Sequence, residues 1–269
     1  MGGIALLRQT FLDAKWYQRQ QPKPFSDLSL DAWLEHQRLP QIFEAKEGWR
    51  SALRADQIGD EFDTQFIIRS HGDSYQRLPE IEATAASLIV PLNFPETPDV
   101  SDPYDAEGIT LAQLKHWELA PSNPSMLAAA GVRFALTGAA QKDFWPKLRV
   151  AISRGLSERD ALAALTTIPA DLIKEPRLGS LAAGKLANFL ITSGPLFDAA
   201  TVIEENWVAG QQFQLASHAP DRSGNYQLNI DGQQLVLEVD GTPTKPKACL
   251  LYTSPSPRDL STSRMPSSA

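Results

Sequence analysis

QIFEA at 41–45, QFIIRS at 65–70, SLIVPL at 87–92 and VRFALT at 132–137 are four short apolar runs, each of the length expected for a strand buried on both faces. Helical patterns separate them. Residues 47–58 carry Trp49, Leu53 and Ile58, a second pattern covers 74–85, a pair lies between 109 and 130, and another runs over 141–154. Strand–helix alternation with a first spacing of about 25 residues is what right-handed βαβ crossovers produce. It predicts a parallel sheet with helices outside it. A closed (β/α)8 barrel needs eight strands and ~250 residues, so four strands fit either an open doubly wound sheet or half of a barrel.

Upstream of the first run, Ile4, Leu7, Phe11 and Ala14 recur at helical spacing with Arg8, Asp13 and Lys15 between them, which predicts an amphipathic helix over 4–17. After the linker QPKPF, SDLSLDAWLEHQ reads as a second helix capped by Asp27 or Ser29. From about residue 178 the pattern turns all-β, through RLGSLAAGKLANFLIT, TVIEENWVAGQQF and GNYQLNIDGQQLVLEVDG. Tyr226, Leu228 and Ile230, then Leu235, Leu237 and Val239, alternate around Asp231-Gly232, the signature of a hairpin. The closing CLLYTSPSPRDLSTSRMPSSA is rich in Ser and Pro and has no sustained periodicity. It resembles the translated adapter sequence at the ends of environmental, metagenomic reads, so residues 248–269 are expected to be an artefactual tail.

Composition narrows the function. The 269 residues are 42% hydrophobic and 21% charged, enough for one large domain or two small ones. A formal net charge of -7 leaves no basic field for a phosphate backbone, so no nucleic-acid partner is expected. With one cysteine, Cys249, there is no disulfide framework and no CxxC metal site. No run approaches the ~20 apolar residues that cross a bilayer, and a soluble chain without a membrane partner is expected. The opening MGGIALLRQTFLDAKWYQRQ has no basic n-region or small-residue cleavage site and does not read as a signal peptide; the compartment stays open. G-x-S-x-G, G-x-x-x-x-G-K-[ST] and G-x-G-x-x-G are all missing, which removes support for a triad hydrolase, a P-loop NTPase and a dinucleotide enzyme.

The segment GLSERDALAALTTIPADLIKEPRLGSLAAGKLANFLITSGPLFDAATVIEENWVAG resembles the C-terminal signature of the amidohydrolase superfamily, especially its imidazolonepropionase-like members. There a T-x-x-P-A step leads into G-S-L-x-x-G-K-x-A-(D/N)-(F/L) and ends in a W-V-x-G hairpin; here these are residues 166–170, 179–189 and 207–210. The resemblance implies that the four runs are the fifth to eighth strands of a TIM barrel of the metal-dependent hydrolase type. The strands carrying the family's His-x-His ligands would precede Met1, and no H-x-H occurs in the sequence. The chain is accordingly expected to be a C-terminal fragment: half a barrel over 1–176, β-sandwich strands over 177–215, and the start of a further β domain over 221–247.

The implied chemistry is metal-dependent hydrolysis of a non-peptide C–N bond in a small-molecule or peptide-like substrate. A divalent metal, zinc first, would activate the water. On this alignment His71, in IIRSHGDSY, falls at the sixth-strand histidine ligand. Glu44 takes the place of the fifth-strand histidine, with a salt bridge to Lys46 or a neighbouring arginine as its plainer reading. Gly138 stands where the catalytic aspartate is expected. Asp143, five residues on, reads first as a helix cap and second as a catalytic base. His116 and Glu118 would point to different faces of a helix, Trp117 would anchor core or loop, Ser122 or Asn123 would cap the next helix, and His36 and His218 would face solvent. The loop PLNFPETPDVSDPYD would shape access to the barrel mouth. No organic cofactor site is expected. The depleted ligand set also allows a catalytically silent amidohydrolase-fold module that binds a ligand or supports a partner domain, and for either reading the missing N-terminal half is the implied partner.

Overall fold

The computed structural model describes residues 2–23, 25–138, 143–216, 222–230, 233–242 and 245–251. The elements follow the predicted alternation. Two helices, α1 (Gly2–Arg19) and α2 (Leu28–His36), precede β1 (Ile42–Glu44); α3 (Trp49–Glu61), β2 (Ile67–Arg69), α4 (Leu78–Ala83) and β3 (Leu88–Pro91) come next. The long connection after β3 holds α5 (Pro103–Glu107), α6 (Leu111–Leu119) and α7 (Asn123–Ala129), and leads to β4 (Phe134–Thr137). Then come α8 (Phe144–Ser153), α9 (Glu158–Leu165) and α10 (Thr167–Leu172). Asp27, not Ser29, caps α2, its carboxylate accepting the Ser29 and Leu30 amides.

Two compact units emerge: one runs to Phe189 and adds Gly194–Thr201 and Val208–Gly210, the other takes Leu190–Ser193, Val202–Trp207 and the chain from Gln211. The first unit contains the parallel sheet, in the order β1-β2-β3-β4. Its register aligns Phe43, Ile68, Leu88 and Phe134 in one row and Glu44, Arg69, Ile89 and Ala135 in the next. Side chains in successive rows point to opposite faces. The first row faces the helices: Ile68, Leu88 and Phe134 form one core with Ala52, Ala55 and Ile58 of α3, Ile81 of α4, Leu127 of α7 and Leu148 and Ala151 of α8. Each fully buried leucine there contributes roughly 1.5–3 kcal/mol. Small residues on α3 let the helix sit close to the strands.

The other face is treated differently at its two ends. Toward the β4 side, Leu172 and the half-buried Ile168 of α10 pack on Ala135, Ile89 and Ile67. Arg133, the residue before β4, is ion-paired to Asp171 and so fastens α10 in place. Toward the β1 side, the row of Ile89 and Ala135 continues with Arg69 and Glu44. The expectation that all four runs are buried on both faces fails at β1, where Ile42 is 56% exposed. The cause is position: β1 is a border strand, paired only with β2 among the described residues.

In the second unit, β5 (Phe189–Thr192), β6 (Ile203–Val208) and β7 (Gln211–Gln214) form one three-stranded sheet, and β8 (Gly224–Ile230), β9 (Gln233–Thr242) and β10 (Lys245–Leu251) form another. The predicted hairpin is present as the antiparallel β8–β9 pair, Tyr226 opposite Leu237 and Leu228 opposite Leu235; its Asp231-Gly232 turn lies outside the described residues. β10 pairs with β9 as far as Leu251, opposite Val236. Ala248 to Leu251, which composition alone placed in the tail, therefore belong to a strand ladder, and the remainder of that segment lies outside the described residues. No described helix is long and apolar enough to cross a membrane.

Candidate functional site

In a parallel sheet, ligands bind beyond the carboxyl ends of the strands, where the connecting loops converge. The loop after β2 is the richest in polar groups. Ser70 extends the ladder by donating its amide to Ile89 O at 3.0 Å, and His71 follows, exposed. His71 O accepts from Asn93 Nδ2 at 3.1 Å. The His71 imidazole has no hydrogen-bond partner among the described residues. At Gly72, φ is +95°, and a Cβ would stand 2.7 Å from Asn93 Oδ1, so only glycine suits this turn.

Asp73 then reaches across to α3. Its Oδ2 accepts the Trp49 amide at 3.2 Å, placing a buried carboxylate at the positive end of the helix, where the dipole stabilises it. Gly48 is needed for this approach, since a Cβ there would lie 2.5 Å from Asp73 Oδ2. Ser74 is fully buried, and the Tyr75 amide donates to Asn123 Oδ1 at 2.8 Å. The Tyr75 hydroxyl meets His116 Nδ1 at 2.9 Å, with the two rings nearly parallel at 12°. Burial pushes the Tyr75 phenol above its usual range, so it keeps its proton at neutral pH. In the neutral pair either the hydroxyl donates to a bare Nδ1 or Nδ1–H donates to the phenol oxygen, according to the imidazole tautomer. This contact joins the loop after β2 to the helical connection after β3.

Several sequence expectations change here. Asn123 is not a cap: fully buried, it organises the Tyr75 backbone, and Ser122 stands at the N-cap of α7 without a side-chain bond. Asp143 precedes α8 as expected, yet its side chain makes no cap hydrogen bond, because its backbone sits at φ -105°, ψ 31° instead of in the extended geometry a capping carboxylate uses. Trp117 is 37% exposed and anchors no core. Glu118 and His116 do diverge as predicted, His116 alone turning toward Tyr75. At Gly138 a Cβ would be 3.0 Å from the Phe144 ring, so the position is close-packed against α8. His218 and residues 139–142 lie outside the described residues.

Glu44 takes the plainer of its two readings. Its Oε1 accepts from Arg69 Nη1 at 3.1 Å, and its Oε2 lies 3.4 Å from Lys46 Nζ. Both carboxylate oxygens face cations, which disfavours a metal ion on the same group. His71 and Glu44 are not joined in one coordination set, and among the described residues no group of three His, Cys, Asp or Glu side chains could hold a metal. His71 suits a ligand role; Glu44, as paired here, does not.

Sequence reasoning gave no role to Arg69, Asp73 or Tyr75 by name, and read Asn123 only as a possible helix cap. Arg69 had one available signal, the break it makes in the apolar run QFIIRS, and two-residue alternation from Ile67 already aims it at the face opposite the helices. The other three depend on contacts between residues 24 to 48 positions apart, for which no local pattern exists.

No protein-family model matches the chain, and no curated protein matches it. Solved structures do. An amidohydrolase from Thermotoga maritima MSB8 superposes with a TM-score of 0.64 at 25% identity, covering 80% of this chain and 56% of that one. The A. niger ochratoxinase gives 0.45 at 15% identity, covering 69% of this chain and 44% of that one. The chain thus spans little more than half the length of the Thermotoga protein. Its structural neighbours are amidohydrolase-fold proteins, and the likeness supports a hydrolase-like fold built on a mixed α/β plan, with a four-stranded parallel sheet and separate antiparallel sheets.

Proposed function

We propose that this chain is the later half of an amidohydrolase-type barrel whose complete protein hydrolyses a non-peptide C–N bond in a small or peptide-like substrate. The observation that carries this reading is the superposition on the Thermotoga amidohydrolase across 80% of the chain. The open border at β1 supports it: a strand with an unpaired edge and an exposed Ile42 is suited to further strands beside it. Any metal in such a protein would draw most of its ligands from outside this chain, with His71 the one contribution that fits. What this half does supply is a polar rim, in which Asp73 fixes α3, Asn123 fixes the Tyr75 backbone, and Tyr75 with His116 ties two loops together.

The test uses the complete protein with its upstream sequence. Metal content is measured alongside hydrolysis of a panel of N-acyl amino acids and dipeptides, in wild type and His71→Ala. Bound metal with hydrolysis, both reduced by His71→Ala, is the expected result. A metal-free, inert protein with a closed barrel would establish the second reading, a silent binding module. That reading is favoured by the neutralised Glu44 and by the close-packed Gly138.

A further inference from the structure

Four buried side-chain nitrogen or oxygen atoms have no hydrogen-bond partner among the described residues: Trp33 Nε1, Asp73 Oδ1, Ser74 Oγ and Asn123 Nδ2. The last three belong to one junction. Asp73 and Ser74 are consecutive, and the next amide in the chain, that of Tyr75, is the one Asn123 Oδ1 accepts at 2.8 Å. The same residues tie the loop after β2 to two helices: Asp73 Oδ2 takes the Trp49 amide at the start of α3, and Asn123 opens α7. All three side chains are more than nine-tenths buried, Asp73 at 8% exposure and Ser74 and Asn123 at 0%, so bulk solvent does not serve them. Buried polar groups in folded proteins are satisfied by the chain or by ordered water, because a bond left unmade forfeits the hydration lost on folding.

The pattern of donors and acceptors selects the ligand. A side-chain amide can often be turned either way, but here Oδ1 must face the Tyr75 N–H, which leaves Nδ2 as the free donor. The Asp73 carboxylate oxygen only accepts, and Ser74 Oγ does either. A cation would meet the Asn123 N–H, and an anion the Asp73 carboxylate. A molecule that accepts and donates at once suits both, and the enclosure of the junction restricts it to the smallest one.

We infer that this junction is the binding site of an internal water molecule, which accepts from Asn123 Nδ2, donates to Asp73 Oδ1 and pairs with Ser74 Oγ. Three bonds are the usual complement of a buried water. Bound there, the water joins α7 to the loop after β2 two residues beyond His71, and it leaves no polar atom of Asp73, Ser74 or Asn123 unused. The site stands whether or not the complete protein is a hydrolase.

A high-resolution crystal structure of the complete protein, paired with amide hydrogen exchange, provides the test. One ordered water should lie ~2.7–3.2 Å from Asn123 Nδ2, Asp73 Oδ1 and Ser74 Oγ. Ser74→Ala should retain it through the other two partners. Ser74→Val puts methyl groups where the water bonds; it should expel the water and speed exchange of the amides of residues 72–76 about tenfold or more, since two buried groups are then left unpaired. Wild-type density without a water at this place, direct bonds among the three side chains, or a peak with contacts near ~2.4 Å, which marks a metal cation, would each overturn the inference. So would a Ser74→Val protein whose loop exchanges like wild type. If Ser74→Val does not fold, the wild-type density decides by itself.

Discussion

Replacing Gly59 by alanine should destabilise the parallel-sheet unit, although alanine is ordinarily the better helix former. Gly59 lies near the end of α3, where glycine to alanine should yield about 1 kcal/mol from propensity alone. The surroundings reverse the sign. A Cβ on residue 59 would stand 2.3 Å from Thr64 O and 3.1 Å from the Phe66 ring, whereas a carbon comfortably approaches a carbonyl oxygen to ~3.3 Å. The carbonyl must therefore retreat by about 1 Å. It is poorly placed to do so, because Gly59 O already accepts the Phe62 and Thr64 amides at 3.0 and 2.9 Å, and Phe66 leads directly into β2. A contact as short as 2.3 Å puts the overpacking cost in the upper part of its usual range, ~2–3 kcal/mol, which after the propensity gain leaves a net loss of about 1–2 kcal/mol. In a unit of this size that corresponds to a melting point lower by ~2–8 °C. Thermal unfolding followed by far-ultraviolet circular dichroism measures it, with Gly3→Ala as the control: residue 3 sits on α1 with nothing within 4 Å of a built Cβ, so that variant should match or slightly exceed wild type. If Gly59→Ala unfolds at or above the wild-type temperature, the close approach that launches β2 is not what the geometry indicates.

Three other outcomes follow from the same packing and pairing. Leu172→Ala removes the centre of the small cluster under the open face and should cost ~2 kcal/mol in urea unfolding, the low end for a buried leucine because the site is small enough to collapse; a change below ~0.5 kcal/mol would mean α10 is not seated on the sheet. Asn123→Ala should cost ~1–3 kcal/mol by stranding the Tyr75 amide, while Asn123→Asp, which retains the acceptor, should lose less; equal losses would show that the acceptor for the Tyr75 amide is not what the site depends on. Arg177, through side-chain and then backbone hydrogen bonds, holds the Glu175 carboxyl at about 2, below its ordinary 4.5. A carboxyl depressed in the folded state contributes stability above its unfolded value and loses it as pH falls through the folded one, so this contribution is full above pH 4.5 and gone near pH 2. Carboxyl titration by NMR should show Glu175 returning toward 4.5 in Arg177→Gln, and a curve unchanged by that substitution would refute the pairing.

The sheet was legible because its signals are local. Leu88, Val90 and their neighbours cluster in runs too short for helices, and the intervening patterns carry small and large apolar residues at helical spacing, so strand count, parallel order and helix positions all follow from adjacent residues. The exposure of β1 was not legible. Ile42 and Phe43 look no different from Ile67 and Ile68 in sequence; whether such a run is central or at a border depends on which strands pair, which is a long-range property. The same limit applied to the rim. Asp73 and Asn123 are ordinary loop and helix-start residues by composition, and only Asn123 was read as a cap. Asp73 does act at a helix end, though at that of α3, 24 residues earlier in the chain. Short side chains of this kind bond whichever backbone amide the fold presents, so their type indicates the interaction and not the partner.

Glu44 shows how much a one-residue difference in context decides. Read along the chain it occupies a strand-end position with Lys46 two residues away, or an unspecified neighbouring arginine, as its counter-charge. Read across the sheet, parallel register sets Arg69 directly opposite it, and the pair falls on the face away from α3, α4, α7 and α8 because both are an even number of residues from the Ile42–Ile67 row. The desolvation cost of a lone carboxylate on that face is thereby offset by a neighbouring guanidinium, and at half-exposed positions the pair itself adds little stability, ~0–1 kcal/mol. A pair that contributes so little to folding is weakly constrained by folding, so Glu44 and Arg69 are open to substitution on stability grounds.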